Sequence, residues 1–283
     1  MKTDLSYSFG IVGEKIAASL SPSLFTWAMA KTGINGSYVI YDFPRRLART
    51  LIIHSTGEWF GLNVTSPHKD LAFELSEERS ERAEAVRSVN ALTRREGRLH
   101  GDNTDIAGFQ YALSRRMKHR PVPDTALIIG TGGAARACIY GCRELYPDLE
   151  LHVATRRTGT AAERLASLQS PASDISILTH ARAARYLPEY DLVIQATPVG
   201  HVTRAGYPLN PPLNFKRGAL VMDLIYSPGK TLFLEAAEAF EAETENGLVM
   251  LIAQGAECFT TWTGREFPME DAMLQLLPEF QKK

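Results

Sequence analysis

Apolar residues along the first third of the chain alternate between the spacing typical of strands and that typical of helices. Runs rich in Val, Ile, Tyr and Phe at residues 7–13, 36–43 and 59–65 predict strands. Residues 21–33 and 45–55 have helical spacing, and helical segments continue to about residue 86. This alternation predicts βαβ units in a mostly parallel sheet.

A hairpin and a second α/β segment follow. Residues 89–101 predict a β-hairpin with Arg-Glu-Gly at its turn, and the proline-rich residues 119–124 form a connection. Residues 125–142 then read as an apolar strand, a glycine-rich turn and a helix. Further apolar runs predict buried parallel strands at residues 149–155, 191–197 and 219–226.

The segment from Gly247 onward has the pattern of an amphipathic helix, and no third core follows it. We therefore expect it to pack back on the first domain. The sequence predicts an α/β fold of two domains, with residues 1–106 and 248–283 in the first and residues 107–247 in the second.

Composition excludes several classes of protein. The formal net charge of -1 argues against a nucleic-acid partner. No apolar run reaches the roughly 18–20 residues of a membrane span, and the first residues lack the apolar core of a signal peptide. Three cysteines cannot form a disulfide framework, and Cys138 and Cys142 are expected to be packed thiols rather than zinc ligands. We expect a cytoplasmic protein without a metal.

The glycine-rich turn indicates a nucleotide site. Its residues lie between a strand and a helix, where glycine lets the backbone approach a pyrophosphate at the start of the helix. A helix packed closely on a sheet is the alternative explanation, because the spacing is not the full G-x-G-x-x-G. The residues of the turn are Gly130, Thr131, Gly132, Gly133 and Ala134.

The end of the next strand distinguishes between two cofactors. An NAD site usually has an acid there for the ribose hydroxyl, whereas this chain has Arg156, Arg157 and Thr158. Two guanidinium groups are suited to a 2′-phosphate. The sequence therefore favours NADP over NAD, and a solvated basic turn is the alternative.

Two patches dense in polar residues, "GLNVTSPHKD" (61–70) and "GDNTDIAGF" (101–109), supply candidate catalytic groups. Hydride transfer to or from a secondary alcohol needs a group that exchanges the hydroxyl proton, and Lys69 with a neighbouring carboxylate from Asp105 is suited to this. The alternative interpretation, which the two residues alone would favour, is that Lys69 is an ordinary surface lysine and that Asp105 caps a helix starting at Ile106.

The order of the motifs along the chain resembles the shikimate dehydrogenase family. The resemblance covers essentially the whole chain, and N-V-T-x-P-x-K and G-x-N-T-D are its specific parts. The matching segments are "SLSPS" (19–23), "NVTSPHK" (63–69), "VNAL" (89–92), "GDNTDIAGF" (101–109), "GTGGAARA" (130–137), "RRT" (156–158), "QATPVG" (195–200), "DLIYSPGKT" (223–231) and "GLVMLIAQGAECFTTWTG" (247–264).

This resemblance implies a substrate domain, a Rossmann-like NADP domain and a substrate in the cleft between them. It implies that Lys69 is the catalytic lysine and Asp105 its partner. The implied substrate-binding residues are Ser19 and Ser21 for the carboxylate, Thr65, Asn90 and Gln254 for the ring, and Tyr226. The implied cofactor residues are the glycine turn, Arg156 to Thr158, and Thr197, Leu224 and Gly247 near the nicotinamide half.

The resemblance also has departures, which leave the substrate open. Phe25 stands where the family often has histidine, Arg87 replaces a glycine, and Ala91 replaces a threonine. Serine at position 21 favours shikimate, while quinate and an aminoshikimate-type substrate are alternatives. A sensor that binds a metabolite without catalysis is the alternative from another class, and it would be expected to lose Lys69 or Asp105.

Overall fold

Two compact units make up the computed structural model, which describes residues 6–54, 59–166, 168 and 175–282. The first unit contains the residues up to Gly108 together with Leu251–Leu277. The second contains Phe109–Met250 and the residues from Pro278 onward. In the ranges described, no helix has the length and apolar character needed to cross a membrane.

The first unit is built on a mixed sheet with strand order β2-β1-β3-β5-β6-β4. Strand β1 pairs in parallel with β2 and β3, and β3, β5 and β6 are antiparallel. The hairpin turns at Glu96 and Gly97, whose φ angles of 51° and 79° are those of a type I′ turn. The strands are β1 (Tyr7–Gly13), β2 (Gly36–Asp42), β3 (Gly61–Val64), β4 (Glu78–Arg79), β5 (Ala91–Arg95) and β6 (Arg98–Asp102).

Helices cover this sheet, and the last of them comes from the far end of the sequence. The indole of Trp262 stacks on Phe9 with ring centroids 5.5 Å apart. A side chain at Gly61 would place its Cβ 2.2 Å from that indole, so only glycine fits there. The return of the C-terminal helix to the first unit is therefore confirmed. The helices of this unit are α1 (Ser21–Thr32), α2 (Arg45–His54), α3 (Lys69–Leu75), α4 (Glu81–Val86) and most of α10 (Leu248–Thr263). Helix α5 (Asp105–Met117) begins in this unit, and its residues from Phe109 onward belong to the second.

The second unit has a parallel sheet with strand order β12-β11-β10-β7-β8-β9. The order reverses between β7 and β10, and ligands of such sheets bind at the carboxyl ends of the strands around this point. The strands are β7 (Thr125–Ile129), β8 (Glu150–Thr155), β9 (Ser176–Thr179), β10 (Leu192–Gln195), β11 (Leu220–Asp223) and β12 (Glu243–Asn246).

The remaining helices complete the α/β fold predicted from the sequence, which is confirmed. Strands β4, β9 and β12 were not predicted, and each lies at an edge of its sheet. The helices are α6 (Gly133–Leu145), α7 (Thr158–Ala166), α8 (His180–Tyr186), α9 (Leu232–Glu238), α11 (Met269–Asp271) and α12 (Leu277–Phe280), with a π-helical turn at Ala272–Leu276.

Candidate functional site

Lys69 and Asp105 form a close ion pair in the first unit. Lys69 begins α3 and Asp105 begins α5, and the ammonium Nζ lies 2.5 Å from carboxylate Oδ2. The two side chains are 15% and 6% exposed. A charged pair so well shielded from water needs further hydrogen bonds to be stable, and the neighbouring side chains supply them.

The loop before Lys69 is fixed by its own hydrogen bonds. The backbone of Thr65 donates to the carbonyl of Val12, 2.9 Å away, and so extends the pairing of β3 with β1. The backbone of His68 donates to Thr65, and its buried imidazole Nε2 donates to the carbonyl of Phe43 at 2.7 Å. The start of α3, and with it Lys69, therefore has a defined position.

Asn90 connects the carboxylate of the pair to its surroundings. Its amide nitrogen donates to Asp105 Oδ1 and to Thr104 Oγ1, each at 2.9 Å, and lies 3.3 Å from Gln254 Oε1. Its amide oxygen accepts from the backbone of Thr104 at 2.7 Å. Asn90 thus orients one carboxylate oxygen while the lysine holds the other.

A buried chain of hydrogen bonds continues from Thr104 to the edge of the sheet. Thr104 Oγ1 lies 3.3 Å from the sulfur of Cys258, to which Asn63 donates at 3.2 Å. The oxygen of Asn63 accepts from Tyr38 at 2.8 Å. Both ends of the Asn63 amide are therefore engaged within the protein. Burial raises the pKa of Cys258 to about 12, so its thiol stays protonated and can donate.

Direct hydrogen bonds connect some of the predicted substrate residues to the Lys69–Asp105 pair, and the others lie in different segments. Hydrogen bonds link Lys69, Asp105, Asn90 and Gln254. Ser19 and Ser21 form a separate pair before and at the start of α1, where the backbone of Ser21 donates to Ser19 Oγ at 3.3 Å. Thr65 is half-buried in the loop before Lys69, and Tyr226 belongs to the second unit.

Two of the residues that depart from the family pattern, Phe25 and Ala91, are buried, whereas Arg87 is exposed. Phe25 is 1% exposed and its ring packs against Tyr38, with centroids 4.6 Å apart. Arg87 ends α4 with φ at 48°, a left-handed conformation that favours glycine, and its guanidinium lies 5.2 Å from the ring centroid of Phe73. Ala91 is buried in β5. Phe25 therefore belongs to the aromatic core, and Arg87 packs against Phe73.

An ion-pair cluster beside the pair was not anticipated from the sequence. Arg82 donates to both oxygens of Asp102, at 2.7 and 2.5 Å, and to Glu257 at 3.0 Å. The backbone of Asn103 donates to the same carboxylate at 2.7 Å. Burial raises the pKa of Asp102, but hydrogen bonds from Arg82 and Ser80 outweigh it and hold the pKa below its ordinary value. The cluster ties α4 and α10 to the strand end that precedes Asp105.

The glycine turn of the second unit leaves backbone open at the start of a helix. Gly130 follows β7 with φ at 120°, and a Cβ there would lie 3.1 Å from the carbonyl oxygen of Ala196. Gly132 caps α6, and no heavy atom lies within 4 Å of where its Cβ would be. Thr131, Gly133 and Ala134 complete the turn. Such a turn fits a pyrophosphate.

Two exposed arginines follow the neighbouring strand. Arg156 comes directly after β8, and the backbone of Arg157 donates to Thr155 Oγ1 at 3.3 Å. Thr158 begins α7. The end of β8 therefore presents two cations and a hydroxyl but no carboxylate, which suits the 2′-phosphate of NADP.

The three residues expected near the nicotinamide lie at further strand ends. Leu224 follows β11 and Gly247 follows β12, and a Cβ on Gly247 would lie 2.1 Å from the carbonyl oxygen of Leu224. Buried Gln195, at the end of β10, accepts from the backbone of Thr197 at 2.6 Å and donates to its carbonyl at 2.9 Å. The predicted cofactor residues thus share the carboxyl edge of one sheet.

The cysteines and acidic groups do not suggest a metal centre. Cys138 and Cys142 are buried in α6 and form no disulfide, and burial raises the pKa of Cys142 to about 12. Across the residues whose placement is described, there is no group of three or more His, Cys, Asp or Glu side chains arranged to hold a metal ion.

Two family models and several curated proteins are similar to this chain. The profile described as "Shikimate dehydrogenase substrate binding domain" matches residues 11–92, and that of the "Shikimate 5'-dehydrogenase C-terminal domain" matches residues 247–277. The NADP(+) shikimate dehydrogenase of Salinibacter ruber is 35% identical to this chain, covering 91% of this chain and 92% of the relative. The corresponding protein of Geobacillus kaustophilus is 33% identical, with 96% and 97% covered.

A solved structure resembles the whole fold. Shikimate 5-dehydrogenase from Thermus thermophilus, in complex with NADP(H) and shikimate, has a TM-score of 0.82 to this chain. The two are 30% identical, and the match covers 98% of each chain.

Proposed function

We infer that this chain, which belongs to the shikimate dehydrogenase family, catalyses the reversible NADP-dependent reduction of 3-dehydroshikimate to shikimate. The observation that carries this conclusion is the shielded Lys69–Asp105 pair, held by Asn90 in a chain similar to these enzymes over nearly its whole length. A non-catalytic sensor would not need such a pair.

Lys69 handles the proton in this proposal. NADPH, when bound, supplies the hydride to the carbonyl carbon of the substrate. The ammonium of Lys69 gives a proton to the carbonyl oxygen during reduction, and its neutral amine takes a proton from the hydroxyl during oxidation. Asp105 accepts from the ammonium and, with Asn90, fixes where that proton points.

The substrate is a small acid with several hydroxyl groups, and the first unit offers short polar side chains for it. We assign Ser19 and Ser21 to its carboxylate, and Thr65, Asn90 and Gln254 to its ring hydroxyls. Tyr226 of the second unit is also assigned to the substrate. Such a site would select this substrate over an analogue that lacks one hydroxyl, because the analogue leaves a buried polar group of the protein without a partner.

The second unit is assigned to the cofactor. The open glycine turn, Gly130 to Ala134, binds the pyrophosphate, and Arg156, Arg157 and Thr158 bind the 2′-phosphate. Thr197, Leu224 and Gly247 lie at the nicotinamide half. We further propose that the enzyme is cytoplasmic and has no nucleic-acid partner. Three buried cysteines outside any disulfide and the net charge of -1 support this.

Initial rates of reduction of the nicotinamide nucleotide test this function. We would measure them with shikimate and with quinate, each with NADP+ and with NAD+. The proposal predicts fast oxidation of shikimate with NADP+ and slow oxidation of quinate. Preference for quinate would make the protein a quinate dehydrogenase, and binding of shikimate without turnover in any combination would indicate a sensor.

A further inference from the structure

We propose that His180 is a specificity-determining residue that binds the 2′-phosphate of NADP beside Arg156. The inference rests on the proposed function, since it takes the end of β8 as the site of that phosphate. It adds an imidazole, from the next strand along the sheet, to the two arginines.

Strand register brings His180 to this position. Strands β8 and β9 are parallel neighbours, and their last residues, Thr155 and Thr179, are directly paired. The next residues of the two strands, Arg156 and His180, therefore leave the sheet side by side at its carboxyl edge. His180 is half-buried, whereas Arg156 is exposed.

The charges on the surrounding elements are mostly positive at this edge. Strand β9 has no charged side chain, and the loop after β8 contributes Arg156 and Arg157. The acid of β8, Glu150, lies at the other end of that strand beside His152. Helix α7 adds Glu163 and Arg164 beyond its first turn, and α8 itself adds Arg182 and Arg185. An anion placed between Arg156 and His180 would therefore meet cationic groups first.

The protonation of His180 is sensitive to such an anion. Burial, together with the positive charge of Arg156, lowers the pKa of His180 below its ordinary value and so favours the neutral imidazole. A phosphate dianion beside both groups offsets the charge of Arg156 and favours the imidazolium. Binding of a 2′-phosphate at this position should then be coupled to proton uptake by His180.

Binding of nucleotides to the full chain tests the proposal without relying on turnover. We would titrate 2′,5′-ADP, 5′-AMP, NADP+ and NAD+ calorimetrically at several pH values between about 6 and 8.5, at constant ionic strength. The variants are His180→Ala and His180→Lys, and the control is His119→Ala, an exposed histidine of the same unit. Thermal unfolding of each variant checks that the fold is retained.

The expected result is specific to ligands with a 2′-phosphate. At pH 6, His180→Ala should weaken 2′,5′-ADP and NADP+ about tenfold, the value of a charged hydrogen bond, and leave 5′-AMP and NAD+ unchanged. The loss should shrink by pH 8.5. His180→Lys should retain tight binding at both pH values, and His119→Ala should match the wild type.

Two outcomes would overturn the proposal. One is an affinity of His180→Ala for 2′,5′-ADP within twofold of the wild type at pH 6, and the other is an equal loss for 5′-AMP. A wild type that binds neither NADP+ nor 2′,5′-ADP would instead contradict the proposed function itself. The two failures are therefore distinguishable.

Discussion

A single amide determines how the carboxylate of Asp105 is presented. Asn90 donates to one oxygen of Asp105 and to Thr104, while its own oxygen accepts from the backbone of Thr104. The sequence predicted Asn90 as a residue that binds the substrate. Its contacts within the protein show that it also positions the ion pair, which a motif match does not reveal.

Cys258 has a similar positioning role at the other end of Thr104. Replacing Cys258 with alanine leaves the amide of Asn63 and the hydroxyl of Thr104 without their shared partner. We expect the free energy of unfolding to fall by about 1–3 kcal/mol and the KM for shikimate to rise. Chemical denaturation and initial rates measure the two effects.

The control for this variant is Cys142→Ala. Cys142 is equally buried and free, but it lies in α6 of the second unit. It should lose on the order of 1 kcal/mol of packing and leave the KM for shikimate unchanged. Equal KM values for the two variants would show that the thiol of Cys258 has only a packing role.

The buried carboxyl group of Asp223 should make the stability of the fold depend on pH. Burial raises the pKa of Asp223 to about 6, against hydrogen bonds from Thr231 and the backbone of Ile225 that lower it. A carboxyl whose pKa is raised on folding stabilises the protein while it is protonated. That contribution is fully present below the unfolded pKa of about 4 and is lost as the pH rises through about 6.

The variant Asp223→Asn isolates this effect. The asparagine cannot ionise, so relative to the wild type it should gain on the order of 2–3 kcal/mol of unfolding free energy between pH 4 and pH 7. Urea denaturation of both proteins across this range measures the difference. A difference that stays constant with pH would mean that Asp223 titrates normally in the folded state.

The strands that sequence patterns missed, β4, β9 and β12, all lie at sheet edges, although the edge strand β2 was predicted. Central strands such as β7 and β10 are buried on both faces and therefore read as apolar runs. Strand β12, Glu-Thr-Glu-Asn, and strand β4, Glu-Arg, carry polar residues because an edge strand is partly in water. These strands are defined by backbone hydrogen bonds to the adjacent strand, and such bonds leave no apolar pattern in the sequence.

The Arg82 cluster joins three elements and supports the loop that ends in Asp105. Replacing Arg82 with methionine keeps most of the side-chain volume but leaves the carboxylate of Asp102 without its cation. We expect a loss of about 2–4 kcal/mol in unfolding free energy, since a half-buried carboxylate loses its partner. The turnover number should also fall, because Asn103 and Asp105 lose part of their support. Denaturation and steady-state rates measure both.

Arg98→Met is the matched control for this variant. Arg98 pairs with Glu78 on the surface, where both side chains are well exposed. An exposed pair contributes little to stability, so this variant should differ little from the wild type in stability and rate. If the two arginine variants behaved alike, the Arg82 cluster would have no special role.

For the whole molecule, sequence motifs predicted which residues share a strand end but not how they are supported. Gly130 and Arg156 each follow a strand of the second sheet directly, as the predicted strand ends implied. Leu224 also follows a strand, but the predicted strand 219–226 included it, whereas β11 ends at Asp223. The contacts of Arg82 and Cys258 join segments that are far apart along the chain. Only the folded structure brings such segments together, so no local pattern predicts them.

Lys69 and Asp105 carry the proton in the reaction proposed for this protein with shikimate and NADP. The measurement that tests this role most directly is the turnover number for shikimate oxidation with NADP+. We would compare the wild type with Lys69→Met and with the double variant Lys69→Met/Asp105→Asn. The double variant removes both charges, so no buried carboxylate remains unpaired to disturb the fold.

If Lys69 exchanges the proton, the turnover number should be about 100-fold to 10,000-fold lower in both variants, which is the usual contribution of a positioned acid–base group. Calorimetric titration should show that both variants still bind NADP+ with the affinity of the wild type. A folded double variant that turns over shikimate within tenfold of the wild-type rate would contradict the claim.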